Sequence, residues 1–229
     1  MNEYLQLVSP NPSAASAIIL IPDIWGVTDY SMETANSLAS KYQRPVYVLD
    51  YFYVFTNKPS KFNPGNDGAT APALMSQMKG SDFTKIFDMA INEIQKAQPA
   101  LTSVQVVGFC FGGRLAYLTG ANKLVNKIAV FYGAGANDTG FYDGQSVIDV
   151  LVSSRSHDPS LRVLSFFGSQ DNSIPTSDQK LIQQKLEGAG IAYQHREYPA
   201  GHAYFQKGRP SYDQQSAEKS WEDLDKFLA

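Results

Sequence analysis

The chain has 229 residues, 43% of them hydrophobic and 18% charged, which is the balance of a folded globular protein rather than a disordered one. Lys+Arg number 19 against 22 Asp+Glu, a formal net charge of −3 with no basic stripe, so nucleic acid is not expected as a partner. The longest apolar run, Ala17–Pro22, is far short of the ~20 residues of a membrane span, and the single cysteine cannot form an internal disulfide.

The opening MNEYLQLVSPNPSAAS has neither a basic segment nor an unbroken apolar stretch of the signal-peptide kind, so the expected location is cytoplasmic. Ala17–Pro22 (AIILIP) then reads as a buried strand, Met32–Tyr42 as a helix and Pro45–Leu49 (PVYVL) as a second strand. Ser81–Gln98 is the clearest helix, with Phe83, Ile86, Phe87, Ala90, Ile91 and Ile94 on one face and Pro99 as its stop. Val104–Phe109 is a strand and Gly112–Gly120 a helix. Lys127–Tyr132, Leu161–Phe167 and Ile191–Tyr198 are further strands, with Ser177–Glu187 a helix between the last two and Ala217–Leu228 a terminal helix. Strands apolar on both faces and separated by helices predict an α/β fold, a mostly parallel central sheet flanked by helices on both faces. No composition shift divides residues 1–229, which read as a single domain. Phe55–Ala73 and Ala134–Asp158 read as irregular. Both follow strand ends, where loops line ligand crevices, and residues 55–73 are a candidate lid.

Gly108-Phe109-Cys110-Phe111-Gly112 is the G-x-nucleophile-x-G pattern of a strand-to-helix elbow, with cysteine as the nucleophile. The glycines leave room where strand and helix crowd together, and the apex lies at a helix N-terminus, whose dipole favours a thiolate. By chance the pattern arises in roughly one in ten chains of this length; the preceding strand and following small-residue helix are what raise it above a buried, inert cysteine. A thiol nucleophile requires a base, and the base an orienting carboxylate. Of three histidines, His157 lies in a polar loop and His195 inside a strand, whereas His202 follows the last strand in a loop. Asp171 follows the strand LRVLSFFG, and the chain order Cys110, Asp171, His202 is that of such hydrolases. A turn or helix-capping role is the alternative for Asp171.

VGFCFGG, FFGSQDNSIP, YPAGHAYF and IPDIWGV together resemble the dienelactone hydrolase family of the α/β-hydrolase superfamily, over nearly the whole chain from about Ile18. The resemblance implies a Cys-His-Asp triad of Cys110, His202 and Asp171 that cleaves an ester or lactone through a thioester. It further implies an oxyanion hole of the Ile24 and Phe111 backbone N–H groups, and a monomer or weak homo-oligomer. The family's cysteine-modulating glutamate corresponds here to Asp23. The family's substrate-binding arginines correspond to Val54, after Asp50, and to Gln206, so dienelactone itself is not the expected substrate. Trp25, Tyr53, Tyr132 and Tyr204 suggest an aromatic, less charged pocket, and Lys58 a substitute charge. The expected partner is a small-molecule ester or lactone, with no cofactor and no metal, since no cluster has metal spacing. The alternatives are a thioesterase or other acyl hydrolase on the same triad, and a non-catalytic ligand-binding protein of the same fold.

Overall fold

A computed structural model describes residues 3–9, 11, 13–59, 61–63 and 66–229. Seven strands form one sheet: β1 (Leu5–Val8), β2 (Ser16–Ile21), β3 (Val46–Leu49), β4 (Ser103–Phe109), β5 (Val125–Phe131), β6 (Arg162–Gly168) and β7 (Ala192–Tyr198). Their order across the sheet is β1-β3-β2-β4-β5-β6-β7, antiparallel only where β1 meets β3. The helices are α1 (Asp29–Tyr42), α2 (Thr70–Gln77), α3 (Gly80–Ala97), α4 (Phe111–Thr119), α5 (Val147–Arg155), α6 (Thr176–Gly188) and α7 (Gln214–Leu228). This is the expected α/β-hydrolase arrangement.

From β2 the chain runs one way through α1 to β3, then crosses back through α3 to β4 on the other side of β2. Right-handed crossovers in opposite directions put α1 and α3 on opposite faces. The remaining crossovers continue outward, so α4, α5 and α6 join α3 in one layer, in mutual contact. The α7 helix returns beside α1, where Asp225 accepts a hydrogen bond from Tyr42 at 2.6 Å. Ile18–Ile21, Val104, Val106, Val107, Ile128–Phe131 and Phe166 are buried between the layers. The reversal between β2 and β4 is a topological switch point, where a crevice opens beyond the strand C-termini. Register makes those ends level, Ile21 facing Gly108, so the loop after β2 meets the turn after β4.

Local chemistry accounts for the element ends. Thr28 caps α1 in a reciprocal box with Ser31, and Gln43 closes it in a left-handed conformation at φ 52°. Asp213 caps α7 by accepting from the Ser216 N–H at 2.7 Å.

Three elements depart from the sequence reading. The strand β1, four residues long, is an antiparallel edge added to a parallel sheet. Residues 134–158 are not wholly irregular, because α5 occupies Val147–Arg155 with Ser146 as its cap. Residues 55–73 end in the first turn of α2, whose Pro72 sits where N–H groups lack helical partners. Ser60, Pro64 and Gly65 of that segment lie outside the described residues. No helix among the described residues is long and apolar enough to cross a membrane.

Candidate active site

The turn from β4 into α4 is sharp because Cys110 adopts φ 53°, ψ −118°, a left-handed conformation costing a side-chain-bearing residue about 1–3 kcal/mol. Hydrogen bonds hold it there. The Cys110 N–H donates to the Phe131 carbonyl at 2.9 Å, and the Arg114 N–H donates to the Cys110 carbonyl at 3.0 Å. The flanking glycines are steric necessities: a Cβ on Gly108 would lie 2.4 Å from the Gly112 carbonyl oxygen, and one on Gly112 would lie 2.0 Å from that of Pro22. The sulfur is thereby fixed at the N-terminus of α4, half-buried.

Two loops converge on it. After β6, Asp171 is buried and turned by its Oδ1, which accepts from the Ser173 N–H at 2.8 Å. The loop after β7 is tied alongside by the Gln170 N–H, which donates to the Ala200 carbonyl at 3.0 Å. His202 bridges the pair: Nδ1 lies 2.7 Å from Asp171 Oδ2 and Nε2 lies 3.1 Å from Cys110 Sγ. Burial alone would discharge the imidazole, but hydrogen bonds and charge from Asp171 and Cys110 outweigh it and raise its pKa from 6.5 to about 10. An imidazolium donates from both nitrogens, here toward the Asp171 carboxylate on one side and the Cys110 sulfur on the other.

Facing the sulfur across the switch point is the loop after β2. Its Asp23 is anchored on every side: Oδ1 accepts from the Trp25 N–H at 3.0 Å, Oδ2 pairs with Arg209 at 3.1 Å, and its carbonyl accepts from the Gly26 N–H and the Tyr51 hydroxyl. Burial raises the Asp23 carboxyl pKa against the pull of Trp25 and Arg209. Among the described residues, no backbone carbonyl accepts from the N–H of Ile24 or of Phe111. Phe111 opens α4, where such groups are left over by helix geometry. Its ring is buried against Tyr51 and Phe141.

Several sequence-picked residues stand elsewhere. Asp23 makes no hydrogen bond to Cys110; Arg209 and the Asx turn hold its carboxylate instead. Tyr53 is 41% exposed and packs on Tyr4, away from the crevice. Tyr204 is fully buried, its hydroxyl 2.8 Å from Ser220, and supports Tyr132 from behind. Lys58 is neutralised by Asp50 at 2.9 Å. Trp25 lines a cleft of about 530 Å³ with Thr28, Tyr30, Lys61, Phe62 and Gln206; neither Cys110 nor His202 borders it. His195 of β7 packs at a tilt against Phe167 of β6, and His157 sits in its loop at φ 55°. No group of three or more His, Cys, Asp or Glu among the described residues could hold a metal.

Arg209 is the residue that sequence reasoning missed. Its Nε donates to Gln206 at 3.0 Å and its guanidinium lies 5.7 Å from the centre of the Trp25 ring. The turns from Ala203 to Gln206 to Arg209 bring it back to Asp23. The signal was available: it is the one arginine after His202.

The sequence model of the dienelactone hydrolase family matches residues 5–229. A Yersinia pestis protein provisionally named carboxymethylenebutenolidase is 34% identical over 209 residues, covering 90% of this chain and 75% of its own length. The carboxymethylenebutenolidase of Pseudomonas putida is 24% identical over 230 residues, covering 96% and 88%. A crystal structure from Klebsiella pneumoniae, provisionally titled a dienelactone hydrolase, superposes with a TM-score of 0.78 at 21% identity, covering 96% of this chain and 87% of that one.

Proposed function

The chain belongs to the dienelactone hydrolase family and is a hydrolase acting on ester bonds; from that premise we propose that Cys110 is its nucleophile, His202 its base and acid, and Asp171 the group that orients His202. The observation that carries this reading is the unbroken contact from Asp171 Oδ2 through His202 to Cys110 Sγ, 2.7 Å and 3.1 Å, at a strained elbow.

The Cys110 thiolate attacks the carbonyl carbon of the ester or lactone, forming the S–C bond while the π electrons move to oxygen. The N–H groups of Ile24 and Phe111 receive that oxyanion, each worth roughly 2.7–4 kcal/mol in such sites. Collapse breaks the C–O bond to the alcohol, which takes the Nε2 proton of His202, and a thioester remains. With the thiolate consumed, His202 loses two of the interactions that raised its pKa, so the neutral imidazole can remove a proton from water. Hydroxide adds to the thioester, the thiolate leaves, and the acid product departs.

Arg209 is engaged by Asp23 and Gln206, and neither Val54 nor Gln206 offers a guanidinium, which supports a neutral or weakly charged substrate. Asp23 serves in this reading to shape the loop that presents the Ile24 N–H. A thiol nucleophile works only while reduced, which accords with a cytoplasmic setting.

Hydrolysis of p-nitrophenyl acetate by wild type, Cys110→Ala and His202→Ala tests the proposal. We expect turnover by wild type and a loss on the order of 10³-fold or more in each variant. Absence of hydrolysis above background in wild type, or full activity in Cys110→Ala, overturns it.

A further inference from the structure

Tyr132 has no task in the mechanism above, yet it is held at a cost. It directly follows β5 at φ 40°, as Cys110 follows β4 at φ 53°, so two side-chain-bearing residues just past adjacent strands both occupy left-handed conformations. Its N–H donates to the Phe166 carbonyl at 2.8 Å, which fixes that backbone. Its ring is 2% exposed and meets His202 edge-on at 5.2 Å.

The hydroxyl is the unexplained part. Among the described residues no hydrogen bond reaches it, and its oxygen is open to the neighbouring space rather than sealed in the packing. Tyr132 lines a cavity of about 10 Å³ between α1 and the ends of β2, β4 and β5, together with Asp23, Thr28, Tyr30 and Gln206. Of the other hydroxyls there, Ser31 donates to the Thr28 carbonyl, Thr34 donates to the Tyr30 carbonyl and Tyr30 donates to the Phe205 carbonyl, while Thr28 Oγ1 accepts from the Ser31 N–H. The Tyr132 O–H, which burial keeps protonated, and the further lone pairs of the Asp23 carboxylate face this space together with the Thr28 O–H and the Gln206 amide. A volume of this size accommodates one water molecule, and a water requires two to four polar partners.

We propose that this cavity binds a single water, which accepts from the Tyr132 hydroxyl and donates to the Asp23 carboxylate. Through that water Tyr132 is a positioning residue for the Asp23–Ile24 loop. The site stands on geometry alone; the positioning role rests on the reading of Cys110 as nucleophile and Ile24 as an oxyanion donor. The water gives the Tyr132 hydroxyl its partner and gives the carboxylate a third contact beside Trp25 and Arg209.

The test is a high-resolution crystal structure of the whole chain, with Tyr132→Phe beside it. Wild type should show one ordered water about 2.6–3.2 Å from both Tyr132 Oη and an Asp23 oxygen, and Tyr132→Phe should lose it with the Cys110, His202 and Asp171 geometry intact. No density at that point in wild type, or a Tyr132 hydroxyl bonded directly to protein, overturns the site, and the wild-type structure decides this even if the variant fails to fold. For the role, Tyr132→Phe should lower kcat for p-nitrophenyl acetate about fivefold, the worth of one hydrogen bond, with KM unchanged. An unchanged kcat, or a loss confined to KM, overturns the role. An inactive wild type that still shows the water removes the hydrolase mechanism and leaves the site standing.

Discussion

At His202 two opposing effects set the charge of the site. Burial favours the neutral ring, and Asp171 and Cys110 favour the cation; the balance lies with the cation, at a pKa of about 10. Because the folded pKa is raised, the contribution to stability is fully present below the ordinary value near 6.5 and is lost as pH rises through about 10. The difference in melting temperature between wild type and His202→Gln should therefore shrink between those two values, and NMR of the imidazole should show no titration near neutrality. A His202 that titrates near 6.5 in the resting protein contradicts the pair. Acylation of Cys110 removes part of that support, so a stable thioester analogue should lower the His202 pKa in the same experiment. Asp23 shows the opposite case of a residue whose sequence position invited one role and whose contacts supply another: its carboxylate is spent on Trp25 and Arg209, not on the sulfur.

At the level of elements, the elbow works only because β2, β4 and α4 approach one another at glycine. The Gly112 Cα lies against the carbonyls of Ile21 and Pro22, backbone atoms that cannot rotate aside as a side chain could. Gly112→Ala should cost about 1–3 kcal/mol, the usual range for overpacking, or more. Because the shift falls on the loop carrying Ile24, kcat should fall together with the thermal midpoint. Thermal melts and esterase kinetics on the same preparation check this, and a variant with wild-type values for both refutes it. The segment of residues 55–73 is tied to the rest by Lys61, which pairs with Asp29 at 2.6 Å, and by Phe62, packed on Phe52.

On the scale of the whole molecule, stability and chemistry are concentrated at opposite ends of the sheet. The catalytic candidates follow the C-termini of β2, β4, β6 and β7. At the other end Arg155 is 1% exposed and donates to the carbonyls of Gly120, Asn122 and Val125 at 3.0–3.1 Å while pairing with Asp158 at 2.9 Å. It joins α5 to the turn between α4 and β5. Arg155→Met should strand those buried carbonyls, while Asp158 keeps Ser160 and Lys123, and destabilise the fold by about 1–3 kcal/mol or more, read as a lowered denaturant midpoint. The folded fraction should keep its kcat at low temperature. A loss of kcat equal to the loss of stability contradicts this division.

The long apolar strands and the periodic helix α3 were legible in the sequence, because burial on both faces or on one stripe writes a repeat into the residues themselves. So was the grouping of Cys110, Asp171 and His202 as candidates, since each follows a strand and their chain order is set by how such a sheet is wound. The short β1 carries too few residues for a repeat, and the nine residues of α5 include the β-branched Val147, Ile148, Val150 and Val152, which favour strands over helices. Side-chain direction in loops was not legible either. Arg209 reaches Asp23, Tyr53 faces solvent and Tyr204 enters the core because distant segments close on one another, and no local pattern encodes that closure. The sequence by itself determined the fold class and the three candidate catalytic residues, through periodicity and order along the chain. Only the tertiary structure decided which neighbours surround them, because the partners of Asp23, Lys58 and Tyr132 come from segments that meet only after folding.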